Sequence, residues 1–164
     1  MNNNEQKFKI ELNKSSLLIL FLIFIILLQI IWGAFTSGLN AGLLYQTWPL
    51  MNESFIADDV ESVKILSSLS LSNPSYVQLF HRLLAYFIII FSILIYFNHF
   101  KKNNLGSPFK FLFLAIFIQV VLGILTLISG LNMYLASFHQ MGSIILISTA
   151  IYVLFYVNQR SKLN

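Results

Sequence analysis

The chain has 164 residues, of which 57% are hydrophobic, 15% aromatic and only 10% charged, a balance that excludes an ordinary soluble domain. Its formal charge of +4 is no nucleic-acid footprint, because the basic residues stand in short groups between apolar runs. The absence of cysteine excludes disulfides, thiolate metal ligands and cysteine-held iron–sulfur clusters.

The apolar residues fall in four runs, at about 16–37, 76–98, 109–128 and 134–157. Each reaches the ~20 residues that cross a ~30 Å hydrocarbon core. The expected fold is therefore an all-α integral membrane protein, a four-transmembrane-helix bundle within residues 16–157, with polar tails at 1–15 and 158–164. The first run is too long for a signal-peptide core and no small-residue cleavage site follows it, so it is read as a retained span. Lys7, Lys9 and Lys14 precede the first span; Lys101, Lys102 and Lys110 separate the second from the third; Arg160 and Lys162 follow the fourth. The loop after the first span instead holds Glu53, Asp58, Asp59 and Glu61 against Lys64, and the loop after the third is uncharged. By the positive-inside rule both termini are cytoplasmic.

The spans repeat. The first ends in Gln29-x-x-x-Gly33-x-x-Thr36 followed by Ser37–Gly38–Leu39–Asn40, and the third in Gln119-x-x-x-Gly123-x-x-Thr126 followed, two residues later, by Ser129–Gly130–Leu131–Asn132. The second carries Phe80–His81–Arg82 and the fourth Phe138–His139–Gln140. The bundle thus reads as two parallel-repeated helix pairs, 16–98 and 109–157. In the long outer loop, 38–75, Asp58-x-x-Glu61 has the form of a capping box, and Val60, Val63 and Leu66 follow at helical spacing, which predicts a short amphipathic helix near 59–70. Tyr45, Trp48 and Leu50 suit an ordered loop at the membrane interface, as headgroup anchors or as ligand contacts. Asn73–Pro74 is a start signal for the second span, and Asn132 caps the fourth.

Ionisable residues inside spans mark functional sites by default, which singles out His81 and Arg82. His81 lies eight residues after Asn73 and His139 seven after Asn132, so both imidazoles sit roughly 10–12 Å along helices entering from one face. A lone membrane histidine is often a buried hydrogen-bonding group, but two at equal depth suit two axial ligands of one centre. A bare metal ion needs further ligands, whereas heme needs only axial donors. Ala85, Gly142 and Ser143 leave small neighbours beside the histidines; such residues also serve close helix packing, as Gly33 and Ser37 would. Arg82 suits a heme propionate or the interface, and Gln29 and Gln119 suit interhelical hydrogen bonds. His99, beside Phe100–Lys101–Lys102, reads as interfacial.

With these residues in place the chain resembles the heme A synthase family over roughly 29–157. GAFTSGLNAGLLYQTWPLMNESFIADD is similar to the outer loop of that family's C-terminal half, and NPSYVQLFHRLLAY and SFHQMGSIILISTA to its histidine helices. The resemblance implies two four-helix halves in a bacterial cytoplasmic membrane, one handling the substrate heme and the other holding heme b through two histidines. His81 and His139 carry over as the axial ligands of the heme iron. The chain departs from the pattern in having four spans, no outer-loop cysteines, and Gln78 where the substrate half has a glutamate implicated in catalysis. The implied role is in heme A biosynthesis, the oxidation of the heme O methyl to formyl, with this chain as the electron-transferring half. The implied partners are a second copy or an N-terminal-half subunit, heme O, and the cytochrome oxidase assembly machinery. The alternatives are a stand-alone two-histidine cytochrome and a heme-free assembly factor. No catalytic residue is assigned.

Overall fold

A computed structural model of the chain describes residues 12–57, 59–60, 71–101 and 106–161. Four long helices account for most of them: α1 (Lys14–Gly38), α2 (Pro74–Ile95), α3 (Gly106–Ile128) and α4 (Met133–Ser161). All four are long and apolar enough to cross a membrane, as the composition requires. A 3₁₀ turn at Ala41–Leu43 follows α1, and α2 runs on into a π-turn at Tyr96–Phe100. No β-strand forms among the described residues, only a single antiparallel bridge between Met51 and Ser54.

Each helix starts slightly before the apolar run that signals it, because an asparagine cap sets the start of α1, α2 and α4 and a polar first turn that of α3. Asn13 caps α1 by accepting from Ser16 N at 2.8 Å. Asn73 caps α2 by accepting from Ser75 N at 3.0 Å and Tyr76 N at 3.4 Å, with Pro74 at the first helical position. Asn132 serves α4 in the same way, accepting from Tyr134 N at 3.1 Å and Leu135 N at 3.3 Å. The amphipathic helix expected near 59–70 lies outside the described residues, apart from Asp59 and Val60 in a turn.

The internal repeat is visible in the bonds. Thr36 Oγ1 donates to the Trp32 carbonyl at 2.9 Å, and Thr126 Oγ1 to the equivalent Leu122 carbonyl at 2.7 Å. The two extra residues in the second copy are absorbed at Gly130 and Leu131, which turn the chain through φ values of 69° and 62°. Leu131 then packs against the 3₁₀ turn. A Cβ on Gly42 would lie 2.7 Å from Leu131 Cδ2, so glycine is what lets the two connecting loops meet.

The helices stand in the order α2, α1, α4, α3. Neighbours in that order pack closely, α2 touches α3 only lightly, and α2 and α4 occupy opposite corners. The apolar core is uneven along the bundle. Ile19, Leu22 and Ile26 of α1, Ile88 and Ile95 of α2, Phe109 and Leu112 of α3, and Ala150 and Val153 of α4 pack together near the end that carries Lys14 and Lys110. At the other end Met51, Ala57 and Val60 of the long loop pack on Tyr76 and Leu79 of α2. Between these two clusters lies a layer in which no residue of α1 (27–38), α2 (80–87) or α4 (133–145) is buried.

Candidate functional site

His81 and His139 both fall in that middle layer, one on each of the two opposite helices. The repeat builds the same surroundings around each ring. A Cβ placed on Gly33 would lie 3.1 Å from His81 Cε1, and one on Gly123 would lie 3.1 Å from His139 Cε1. Each imidazole edge therefore rests in a notch that only glycine leaves open on the adjoining helix.

The glutamine one turn before each glycine also bears on its histidine. Gln29 Nε2 donates to the His81 carbonyl at 3.0 Å and stands 3.4 Å from His81 Nε2. The His139 ring lies against the backbone carbonyl of Gln119. Gln119's side chain crosses to α4, where its Nε2 would be 2.0 Å from a Cβ on Gly142. Of the two uses the sequence allows for Gly142, a small neighbour beside His139 and close helix packing, the second is seen: the Gln119 amide lies against its bare backbone.

Several polar atoms of the layer are buried and have no partner among the described residues: Nδ1 of both histidines, Trp32 Nε1, Gln29 Oε1, Tyr86 Oη and Arg82 Nε. Buried polar atoms are normally satisfied, so the two unpartnered Nδ1 atoms, with Gln29 Oε1 on the side chain beside His81, mark a place where a polar or metal-bearing ligand fits. No three His, Asp or Glu side chains gather among the described residues, so a bare metal ion finds no ligand set there. Two imidazoles on opposite helices, with no core between them, fit a planar group that needs only axial donors.

Arg82 and Gln78, one turn apart on α2, turn to the long loop. The terminal amino groups of Arg82 donate to four backbone carbonyls: Tyr45 and Thr47 at 3.0 Å, Leu50 at 3.1 Å and Pro49 at 3.4 Å. Gln78 is 2% exposed and its Nε2 donates to the Tyr45 carbonyl at 2.8 Å. Ser75 and Tyr45 both donate to the carboxylate of Asp59. Burial raises the Asp59 carboxyl, but these hydrogen bonds outweigh it and hold the group below its ordinary value. His99 sits away from the layer, in the π-turn, with its ring near Phe100.

Fold and site together define an integral-membrane four-helix bundle that presents a pair of histidines from opposite helices into a layer free of apolar core. The sequence matches the cytochrome oxidase assembly protein family over residues 3–151, and the chain belongs to that family. It is 42% identical over 147 residues to a Heme A synthase of Pelagibacter ubique, a match covering 90% of this chain and 44% of that protein. It is 32% identical to a Heme A synthase of Wolbachia pipientis, covering 96% of the chain and 43% of the relative. A Heme A synthase of Rickettsia conorii is 34% identical, with 81% and 40% covered. The chain thus spans less than half the length of these relatives. No solved structure matches it.

Proposed function

We propose that the chain is the heme-holding, electron-transferring half of a heme A synthase-type oxidoreductase, with His81 and His139 as axial ligands of a heme b iron. The observation that carries this reading is the uncored layer between two apolar clusters, with both imidazoles in it and their Nδ1 atoms unpartnered. When bound, the heme would supply a one-electron iron couple. The chain's own residues hold the rings: Gly33 and Gly123 admit the imidazole edges, and Gln29 fixes the backbone of α2 at His81. The relatives named Heme A synthase support a place in heme A biosynthesis, the conversion of the heme O methyl to formyl. Those relatives are more than twice as long as the matched stretch, and on this reading the substrate site comes from a second copy of the chain, a separate N-terminal-half subunit, or a further part of the same gene. On this reading the protein works with the assembly machinery of cytochrome oxidase in a bacterial cytoplasmic membrane, a reading supported by its four apolar helices and its bacterial relatives. Both termini are cytoplasmic on this reading, supported by Lys14, Lys101 and Lys110 gathering at the bundle end away from the histidines.

A stand-alone two-histidine cytochrome is the second reading. It is favoured by Gln78, whose amide is committed to the Tyr45 carbonyl and cannot act as a base. The deciding experiment is an oxidised and dithionite-reduced spectrum of detergent-purified protein, with pyridine extraction of the heme. Wild type is expected to show a low-spin b-type spectrum, and His81→Ala and His139→Ala to lose it. Co-purified heme O or heme A would favour the synthase reading over the plain cytochrome. A colourless wild type, or full heme content in both variants, would overturn the site.

A further inference from the structure

The long loop does not stand away from the bundle; it is fastened down one face of α2. Ser75 holds Asp59, Gln78 holds the Tyr45 carbonyl, Arg82 holds the carbonyls of Tyr45, Thr47, Pro49 and Leu50, and Tyr86 stacks on Phe55 at 6.1 Å. Ser75, Gln78, Arg82 and Tyr86 recur every three or four residues, so they form one stripe of the helix, about 16 Å long. His81 points elsewhere, to the notch at Gly33.

The chemistry of the fastening is one-sided. Tyr45–Leu50 carries no helical bonds of its own, and carbonyls near or within a bilayer need protein donors. A guanidinium carries five donors in a planar fork and can serve four carbonyls at once, whereas a lysine has three donors and a glutamine two. A carboxylate at position 78 would meet the Tyr45 carbonyl with no hydrogen to offer. Every partner of the Arg82 terminal amino groups is a neutral carbonyl.

We propose that Arg82 and Gln78 are positioning residues which clamp the segment Tyr45–Leu50 onto the His81 helix, and that this strap governs how fast a heme leaves the histidine layer. The second half rests on the proposed heme site; the first stands on the hydrogen bonds alone. Closure at the histidine end of the bundle then comes from the strap and its cluster of Met51, Ala57 and Val60, which seals the layer from that side.

The experiment uses the full chain in detergent and three variants: Arg82→Gln, Gln78→Leu and Thr47→Ala. Thr47 touches neither histidine; its hydroxyl donates to the Leu50 carbonyl at 2.8 Å and accepts from Asn52 N at 2.8 Å, so it shapes the strap from within. Hydrogen exchange of the heme-free protein is read at the Met51 amide, which donates to the Ser54 carbonyl at 2.7 Å. Heme transfer to excess apomyoglobin is read on the loaded protein. All three variants are expected to speed exchange at Met51 and to release heme on the order of tenfold faster, the equivalent of about one hydrogen bond, with the low-spin spectrum unchanged. Unchanged exchange at Met51 in Arg82→Gln and Gln78→Leu would overturn the clamp. Faster release in Arg82→Gln alone would show that Arg82 acts on the heme directly and would overturn the strap's role. A wild type that takes up no heme would overturn the parent reading and the release half with it, while the exchange measurement still decides the clamp. If the Arg82 variant fails to fold, Gln78→Leu and Thr47→Ala carry the same two readouts.

Discussion

The notch at Gly33 yields a sharp prediction. A methyl group there would sit 3.1 Å from His81 Cε1, whereas carbon atoms pack best at about 3.5–4.0 Å, so ring or helix must shift by ~0.4–0.9 Å. Overpacking of this kind costs roughly 1–3 kcal/mol. Replacing glycine by alanine inside a helix returns up to about 1 kcal/mol. Gly33→Ala should therefore be destabilised by about 0–2 kcal/mol net. Gly38 lies on the same helix with nothing within 4 Å of its would-be Cβ, so Gly38→Ala keeps the gain and is not destabilised. The two variants should differ by roughly 1–3 kcal/mol in mixed-micelle unfolding titrations, with the loaded Gly33→Ala protein also showing a shifted low-spin spectrum. If they differ by less than about 0.5 kcal/mol, within the usual effect of a neutral surface change, the ring does not occupy the notch and the site geometry is wrong.

Gln29→Leu removes the bond to the His81 carbonyl and should cost about 0.6 kcal/mol, at most ~1.7, in the same titration, the range found for interhelical hydrogen bonds in membranes. Asn73→Ala removes the cap of α2 and should cost about 0.5–2 kcal/mol, with exchange at Ser75 and Tyr76 accelerated first. Asp59 is held below its ordinary value in the folded loop, so the unfolded carboxyl binds its proton more readily than the folded one. Its contribution is present above the unfolded value and is lost as pH falls through the lower folded one. Limited proteolysis of the loop should therefore quicken in the acid range below about pH 4, and Asp59→Asn should abolish that pH dependence.

How much of this was legible in the sequence depends on the kind of signal. The spans follow from apolar runs, and Asn73, Pro74 and Asn132 announce helix starts that the structure bears out. The equal depth of His81 and His139 follows from counting along those helices, because helical rise is fixed. Packing partners are harder to read. Gly142 lies three residues after His139, which places it about 60° to one side of the ring's own direction, and that side faces α3 and Gln119. Spacing gives a face but not the neighbour on it. Gly33 and Gly123 were visible as a repeat, yet nothing in one sequence says which side chain a glycine admits. Arg82 was the least legible of the site residues, since its partners are backbone carbonyls in an irregular loop that has no period to detect.

The repeat explains why one chain builds the site twice and finishes it differently each time. The notches at Gly33 and Gly123 both bring Cε1 of the ring to 3.1 Å, although Nε2 stands at 4.0 Å in the first and 3.5 Å in the second, so both rings are seated at the same edge with a different turn. The positions that follow each histidine are not equal. Arg82 in the first copy is Gln140 in the second, and Leu84 is Gly142. Gln119 lies over the bare backbone at Gly142, whereas Gln29 bonds the His81 carbonyl instead. The long loop exists only after α1, and Arg82 is one of the α2 residues that fasten it; after α3 the four residues 129–132 have no comparable strap to hold, and Gln140 is exposed. Symmetry thus sets the pair of rings, and its breaking sets the closure: α2 carries ring and strap together, while α4 carries its ring alone. On the proposed heme reading, any change that loosens α2 should therefore disturb both heme geometry and retention, whereas the matching change in α4 should disturb geometry only.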